Sequence, residues 1–205
     1  DLKTIKKKIN NILVCKNIRL AIANIAKQFF PRQPDHISAV TGTNGKTSVV
    51  NFLYDIWKKN KVKGACFGTL GIKYDGINKK TKLTTLDSIS LHKELNLAKE
   101  KKINFLAMEA SSHALDQSRL DKVKIKYGLF TNLSRDHLDY HKNMKKYFLC
   151  KSKLFEFIMD RGGVAIINTD NGYGKKIKEL CDINNIKNLS YGFQKGSSWR
   201  IINID

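Results

Sequence analysis

The chain has 205 residues, a formal net charge of +20 and 41% hydrophobic residues, which suits a globular domain with a core of its own. No apolar run approaches the ~20 residues a membrane-spanning helix needs, so no membrane insertion is expected. The start, Asp1-Leu2-Lys3, is neither an initiator methionine nor the opening of a signal peptide, and the expectation is a cytoplasmic chain cut at its front.

The excess of positive charge invites a nucleic-acid reading. Only six of the 38 basic residues are arginine (Arg19, Arg32, Arg119, Arg135, Arg161 and Arg200), and the lysines are spread along the chain beside abundant Ile and Asn. Neither RNA-recognition aromatics nor zinc-finger spacing accompanies them. Nucleic acid is therefore not an expected partner. Cys15, Cys66, Cys150 and Cys181 are scattered without CxxC pairing, as idle thiols of a reducing compartment would be.

In chain order, Ile18, Ile22, Ile25, Ala26 and Phe29 recur at helical spacing and predict one amphipathic helix, which Pro31 and Pro34 end. Short apolar runs then alternate with helical stretches, predicting an α/β fold with a mostly parallel sheet flanked by helices. The expected strands are 36–40, 64–69, 104–109, 127–131, 163–168 and 187–191; the expected helices are 46–59, 88–101, 142–159 and 173–184. Residues 199–205 look like a last strand. Residues 1–35 are expected to be a linker and the tail of an upstream domain, with 36–205 as the principal domain.

The segment Thr41-Gly42-Thr43-Asn44-Gly45-Lys46-Thr47-Ser48 follows a strand and opens a helix. Backbone N–H groups and a helix N-terminus in that setting can surround a nucleotide phosphate. Lys46 would neutralise phosphate oxygens and the Thr47 hydroxyl would ligate Mg²⁺. Val40 stands where the first glycine of the full phosphate-loop pattern belongs.

A second strand ends in Glu109, an acid that is either a solvated edge or a group within reach of a cation at the loop. Ser111, Ser112, His113, Gln117 and Arg119 follow and supply donors suited to an anionic substrate. A third strand runs into Asn132-Leu133-Ser134-Arg135-Asp136-His137-Leu138-Asp139-Tyr140-His141. By spacing this is either a metal or catalytic cluster or a polar, helix-capping loop. Beyond it, Met144, Tyr147, Phe148, Leu154, Phe155 and Ile158 share one helical face with Lys151. A lysine on such a face either snorkels or has a special task, since desolvation lowers its pKa and frees a reactive amine.

These three blocks, in this order, resemble the central ATPase domain of the Mur ligases, and Met108 to Gln117 with Phe130 to His141 resemble the MurE branch. The resemblance implies ATP bound by Gly42, Thr43, Asn44, Gly45, Lys46, Thr47 and Ser48, with Asn168 and Asp170 near the nucleotide. It implies Mg²⁺ held by Thr47, Glu109, His137 and a carbamylated Lys151, and catalytic roles for Lys46, Lys151 and His137. Thr84, Thr85, Ser111, Gln117 and Arg119 would contact a UDP-N-acetylmuramoyl-dipeptide, to which a diamino acid, diaminopimelate rather than lysine, is added by a monomeric enzyme. Leu86 and Asn171 depart from the family's usual proline and acid. Other readings are a folylpolyglutamate synthetase of the same superfamily, or a phosphate-loop NTPase without ligase activity. A fragment lacking the uridine-nucleotide and amino-acid domains is expected to bind nucleotide weakly and not to ligate.

Overall fold

The computed structural model describes residues 14–74, 76–159 and 162–203. Its elements are α1 (Ile18–Phe29), β1 (His36–Thr41), α2 (Lys46–Lys59), β2 (Gly64–Gly68), β3 (Gly71–Tyr74), β4 (Ile77–Lys79), α3 (Ser88–Glu100) and β5 (Phe105–Glu109). There follow α4 (Ser112–Asp116), β6 (Ile125–Phe130), α5 (Leu138–His141), α6 (Met144–Met159), β7 (Val164–Asn168), α7 (Gly172–Ile183), β8 (Lys187–Gly192) and β9 (Trp199–Arg200).

Among the described residues the strands form one sheet in the order β4-β3-β2-β5-β1-β6-β7-β8-β9. Every pairing from β2 to β9 is parallel; only β2–β3 and β3–β4 are antiparallel. The expected mostly parallel sheet is therefore present. The chain leaves β1, whose neighbours β5 and β6 come much later, for β2 beyond β5. Such an arrangement opens a crevice at the carboxyl ends of the strands, where α/β proteins hold their ligands.

Alternation along β1 divides the core. Ile37 and Ala39 join the large cluster beneath α6, with Leu106, Met108, Phe130, Leu154, Phe155 and Ile158. Val40 faces the other way, with Val50, Cys66 and Ala107 under α2. Small side chains there let α2 lie close to the sheet, and a Cβ at Gly64 would stand 2.5 Å from Trp57. Three of the cysteines, Cys66, Cys150 and Cys181, are buried and all four are free. Burial pushes Cys66 and Cys150 up to about 11 and Cys181 up to about 12, so these thiols stay protonated and inert.

Several sequence expectations need correction. Helix α1 forms, but Ile18, Ile22, Ile25 and Phe29 are exposed while Ala23 and Ala26 are buried. The alanine face packs because it allows close approach to α3. The hairpin β3–β4 and the short helices α4 and α5 were not expected. The long helix begins at Met144 rather than Lys142, because Lys142 has φ +66° and Asn143 caps the helix through Lys146 N–H at 2.9 Å. The last strand is only Trp199–Arg200, and residues 204–205 and 1–13 lie outside the described residues. No helix among the described residues is long and apolar enough to cross a membrane.

Candidate functional site: a phosphate loop facing a buried acid

Strand β1 ends in a loop whose shape is set by glycine and by the end of β6. Gly42 has φ +151°, and a Cβ there would fall 1.9 Å from Thr131 Oγ1. Gly45, at φ +84°, turns the chain into α2. The loop is tied down by Thr43 N–H to Asn132 O (2.9 Å), Asn44 N–H to Asn132 Oδ1 (2.9 Å) and Thr131 Oγ1–H to Asn44 O (2.7 Å). The start of the Asn132–His141 block is thus scaffold for the loop.

The Lys46 ammonium donates to Gly42 O (2.9 Å) and Thr43 O (2.8 Å). Burial lowers its pKa, against the pull of Glu109 and Asp136. The neighbouring Thr47 hydroxyl donates to Glu109 Oε1 at 3.0 Å, and the same oxygen accepts Thr69 N–H at 2.7 Å. Glu109 is 1% exposed, and its Oε2 finds no donor among the described residues. A buried carboxylate oxygen left without a donor, beside a hydroxyl, suits a hard cation. Gly68 makes room for it: a Cβ there would lie 2.3 Å from Glu109 Oε1.

Lys151 reaches the loop from beneath. It is 1% exposed, donates to Gly42 O at 2.7 Å and lies 4.6 Å over the Tyr147 ring. Burial, and then the like charge of Lys46, push its pKa down to about 7. It does not snorkel; it is a desolvated amine aimed at the phosphate loop.

The cleft in front of the loop has a volume of about 390 Å³ and is lined by Lys46, Thr47, Thr69, Lys82, Leu83, Thr84, Thr85, Glu109, Ser111, His113, Arg119 and His137. Thr85 is buried, its hydroxyl 2.8 Å from Glu109 O and 3.2 Å from Ser111 Oγ, which ties the segment before α3 to the end of β5. Thr84 Oγ1 accepts from Thr69 Oγ1 at 3.2 Å. Arg119 donates to Thr85 O (2.9 Å) and to Gln117 Oε1 (3.1 and 2.6 Å). Gln117 therefore orients the guanidinium and does not itself line the cleft. His137, at φ +50°, lies edge-on to His113 with ring centroids 5.2 Å apart.

Not every expected residue converges there. Ser48 is exposed on α2 as its third residue. Asn168 stands at the end of β7, separated from β5 by β1 and β6, and its Oδ1 accepts Asp170 N–H at 2.9 Å. Among the described residues no group of three or more His, Cys, Asp or Glu is placed to hold a metal. The two-histidine, two-aspartate cluster suggested by spacing is thus not assembled as a metal site. His141 instead turns inward, its Nε2 2.9 Å from Ser112 Oγ. His113, which the sequence offers as a donor, lines the cleft as well; Lys82 and Thr69 are marked by no motif, and Lys82 reaches the cleft only beyond the unexpected β3–β4 hairpin.

Fold and cleft together define an α/β domain organised around a phosphate loop at the carboxyl end of its central strand. The Mur ligase middle domain matches residues 40–205, and the chain belongs to the Mur ligase family. It is 39% identical over 190 residues to the UDP-N-acetylmuramoyl-L-alanyl-D-glutamate--2,6-diaminopimelate ligase of Anaplasma marginale, covering 91% of this chain and 40% of that protein. A solved structure of a ligase of that name superposes with TM-score 0.83 at 30% identity, covering 96% of this chain and 41% of the other. Escherichia coli FolC in complex with DHPP and ADP superposes with TM-score 0.64 at 13% identity over 89% of this chain and 48% of its own, a likeness of fold alone. The chain spans about 40% of the length of the curated relatives it matches.

Proposed function

We propose that this chain is the ATP-handling domain, residues 36–205 with a leading segment up to residue 35, of a monomeric cytoplasmic ligase. The enzyme adds a diamino acid, meso-2,6-diaminopimelate, to UDP-N-acetylmuramoyl-L-alanyl-D-glutamate. The observation that carries this reading is the meeting of Lys46, Thr47 and the buried Glu109 at one end of a cleft whose other wall is Thr84, Thr85, Ser111 and Arg119.

The loop N–H groups from Gly42 to Ser48 would receive the nucleotide phosphates, with Lys46 turning from its carbonyl partners toward the γ-phosphoryl group. Asn168 would lie toward the base. Thr47, Glu109, His137 and Lys151, the last as a carbamate, would hold Mg²⁺, which when bound neutralises charge on the transferred group. Arg119, set by Gln117, would orient the acceptor carboxylate together with Thr84, Thr85 and Ser111. The carboxylate takes the phosphoryl group, the amine of the incoming amino acid attacks the acyl carbon, and phosphate leaves. A folate-adding ligase shares the fold, and the Glu109–Gln117 and Asn132–His141 blocks favour the muramoyl-dipeptide reading over it.

Incubating the full-length protein with ATP, Mg²⁺ and the UDP-muramoyl-dipeptide, then supplying diaminopimelate, lysine or neither, tests the reading. Amide product with diaminopimelate, and ADP release that requires the acceptor, are expected. ADP release without acceptor, or product from a folate, would replace it. On the isolated chain, Gly68→Ala should displace the Glu109 carboxylate and weaken Mg·ADP binding by about tenfold, or ~1.4 kcal/mol. Calorimetry reads that directly, and unchanged affinity would remove Glu109 from the site.

A further inference from the structure

Tyr147 is fully buried in α6, one helical turn before Lys151. Its hydroxyl lies 3.3 Å from Thr43 Oγ1 in the phosphate loop. The Thr43 oxygen also accepts Ser134 N–H (3.0 Å) and donates to Ser134 O (3.3 Å). A threonine hydroxyl has one proton and two acceptor sites. With the proton on Ser134 O and one acceptor site filled by Ser134 N–H, the remaining contact requires Tyr147 to donate.

The same side chain governs the amine. Lys151 Nζ sits over the Tyr147 ring at 4.6 Å while donating to Gly42 O, the residue next to Thr43. His141 stacks on that ring with centroids 4.9 Å apart, and is itself held by Ser112 at the start of α4. A phenol has only two side-chain torsions, so a ring packed in this way is a rigid spacer.

We infer that Tyr147 is a positioning residue, a strut whose hydroxyl sets the phosphate loop and whose ring sets and shields the Lys151 amine. The inference rests on the nucleotide-site reading above and adds a residue to it. Two separable parts of one side chain should then have two separable effects. Tyr147→Phe removes the hydroxyl and keeps the ring; Tyr147→Leu removes both.

The test measures Mg·ADP affinity of the chain, and the rate at which a small acylating reagent labels Lys151, by mass spectrometry. Tyr147→Phe should weaken Mg·ADP binding by about fivefold; Thr43→Val, which also loses both Ser134 contacts, should weaken it at least as much, and the double variant no more than Thr43→Val alone, because the Tyr147–Thr43 contact is then already gone. Lys151 labelling should be unchanged in Tyr147→Phe and several-fold faster in Tyr147→Leu. Additive losses, or full affinity in Tyr147→Phe, would overturn the strut, as would equal labelling in all three proteins. Absence of Mg·ADP binding by the unsubstituted chain would strike the nucleotide-site reading instead, with the labelling comparison still deciding what the ring does.

Discussion

Replacing Lys151 with methionine is expected to make the folded domain more stable at neutral pH while abolishing ligation in the full-length protein. The ordinary lysine pKa of 10.5 falls to about 7 at this site, chiefly through burial and next through Lys46. The sign follows from proton counting. Between pH 7 and 10.5 the unfolded chain carries a proton on this amine that the folded chain gives up, so unfolding is favoured at the acid end of that window. Stability from this residue therefore rises as pH rises through the window. At ~1.4 kcal/mol per pH unit, the burden near pH 7 is about 4 kcal/mol. Methionine keeps the apolar stem and removes the ionisable head. Denaturant unfolding in CO₂-free buffer at pH 7 and pH 9.5 would show the gap between variant and parent narrowing as pH rises. A gap independent of pH would mean that the amine is not desolvated in solution. Bicarbonate should narrow the gap at pH 7 if the amine is captured as a carbamate.

How much of this was legible in the sequence depended on whether local pattern and tertiary demand agreed. Lys151 stood out because a cation fell among Tyr147, Leu154, Phe155 and Ile158 at helical spacing, and all four are fully buried. The phosphate loop was readable because its glycines and its Gly-Lys-Thr run are required by backbone geometry, whatever surrounds them. Helix α1 shows the opposite case. Its large apolar residues marked the helix correctly and its buried face wrongly, since contact with α3 needed small side chains instead of greasy ones. The roles of Thr131 and Asn132 were hidden for another reason. Their hydrogen bonds join residues nearly ninety positions apart, and no local pattern announces a scaffold of that range. Lys82 entered the cleft only through an antiparallel hairpin that no strong alternation advertised.

The second large effect is expected at the opposite side of the loop, where Lys46 and Glu109 should fail in different ways. Lys46→Met removes the one loop cation aimed at phosphate, and loss of a charge-assisted contact of this kind costs about 3 kcal/mol, or roughly 100-fold in ADP affinity. In the proposed nucleotide site Lys46 would meet phosphate directly, so that loss should be similar with and without Mg²⁺. Glu109→Gln should leave ADP binding in chelator unchanged and erase the gain that Mg²⁺ brings. It should not destabilise the fold: glutamine keeps an oxygen for Thr47 and Thr69, and it ends the burial of a carboxylate whose Oε2 lacks a donor among the described residues. Titration calorimetry of both variants, each with magnesium and with EDTA, separates the two roles in four curves. A Glu109→Gln chain that still responds fully to magnesium would show that the cation is held elsewhere. If the response to magnesium is erased instead, Glu109 and Lys151 share one logic, each an ionisable group kept buried at a cost in stability because the chemistry needs it there.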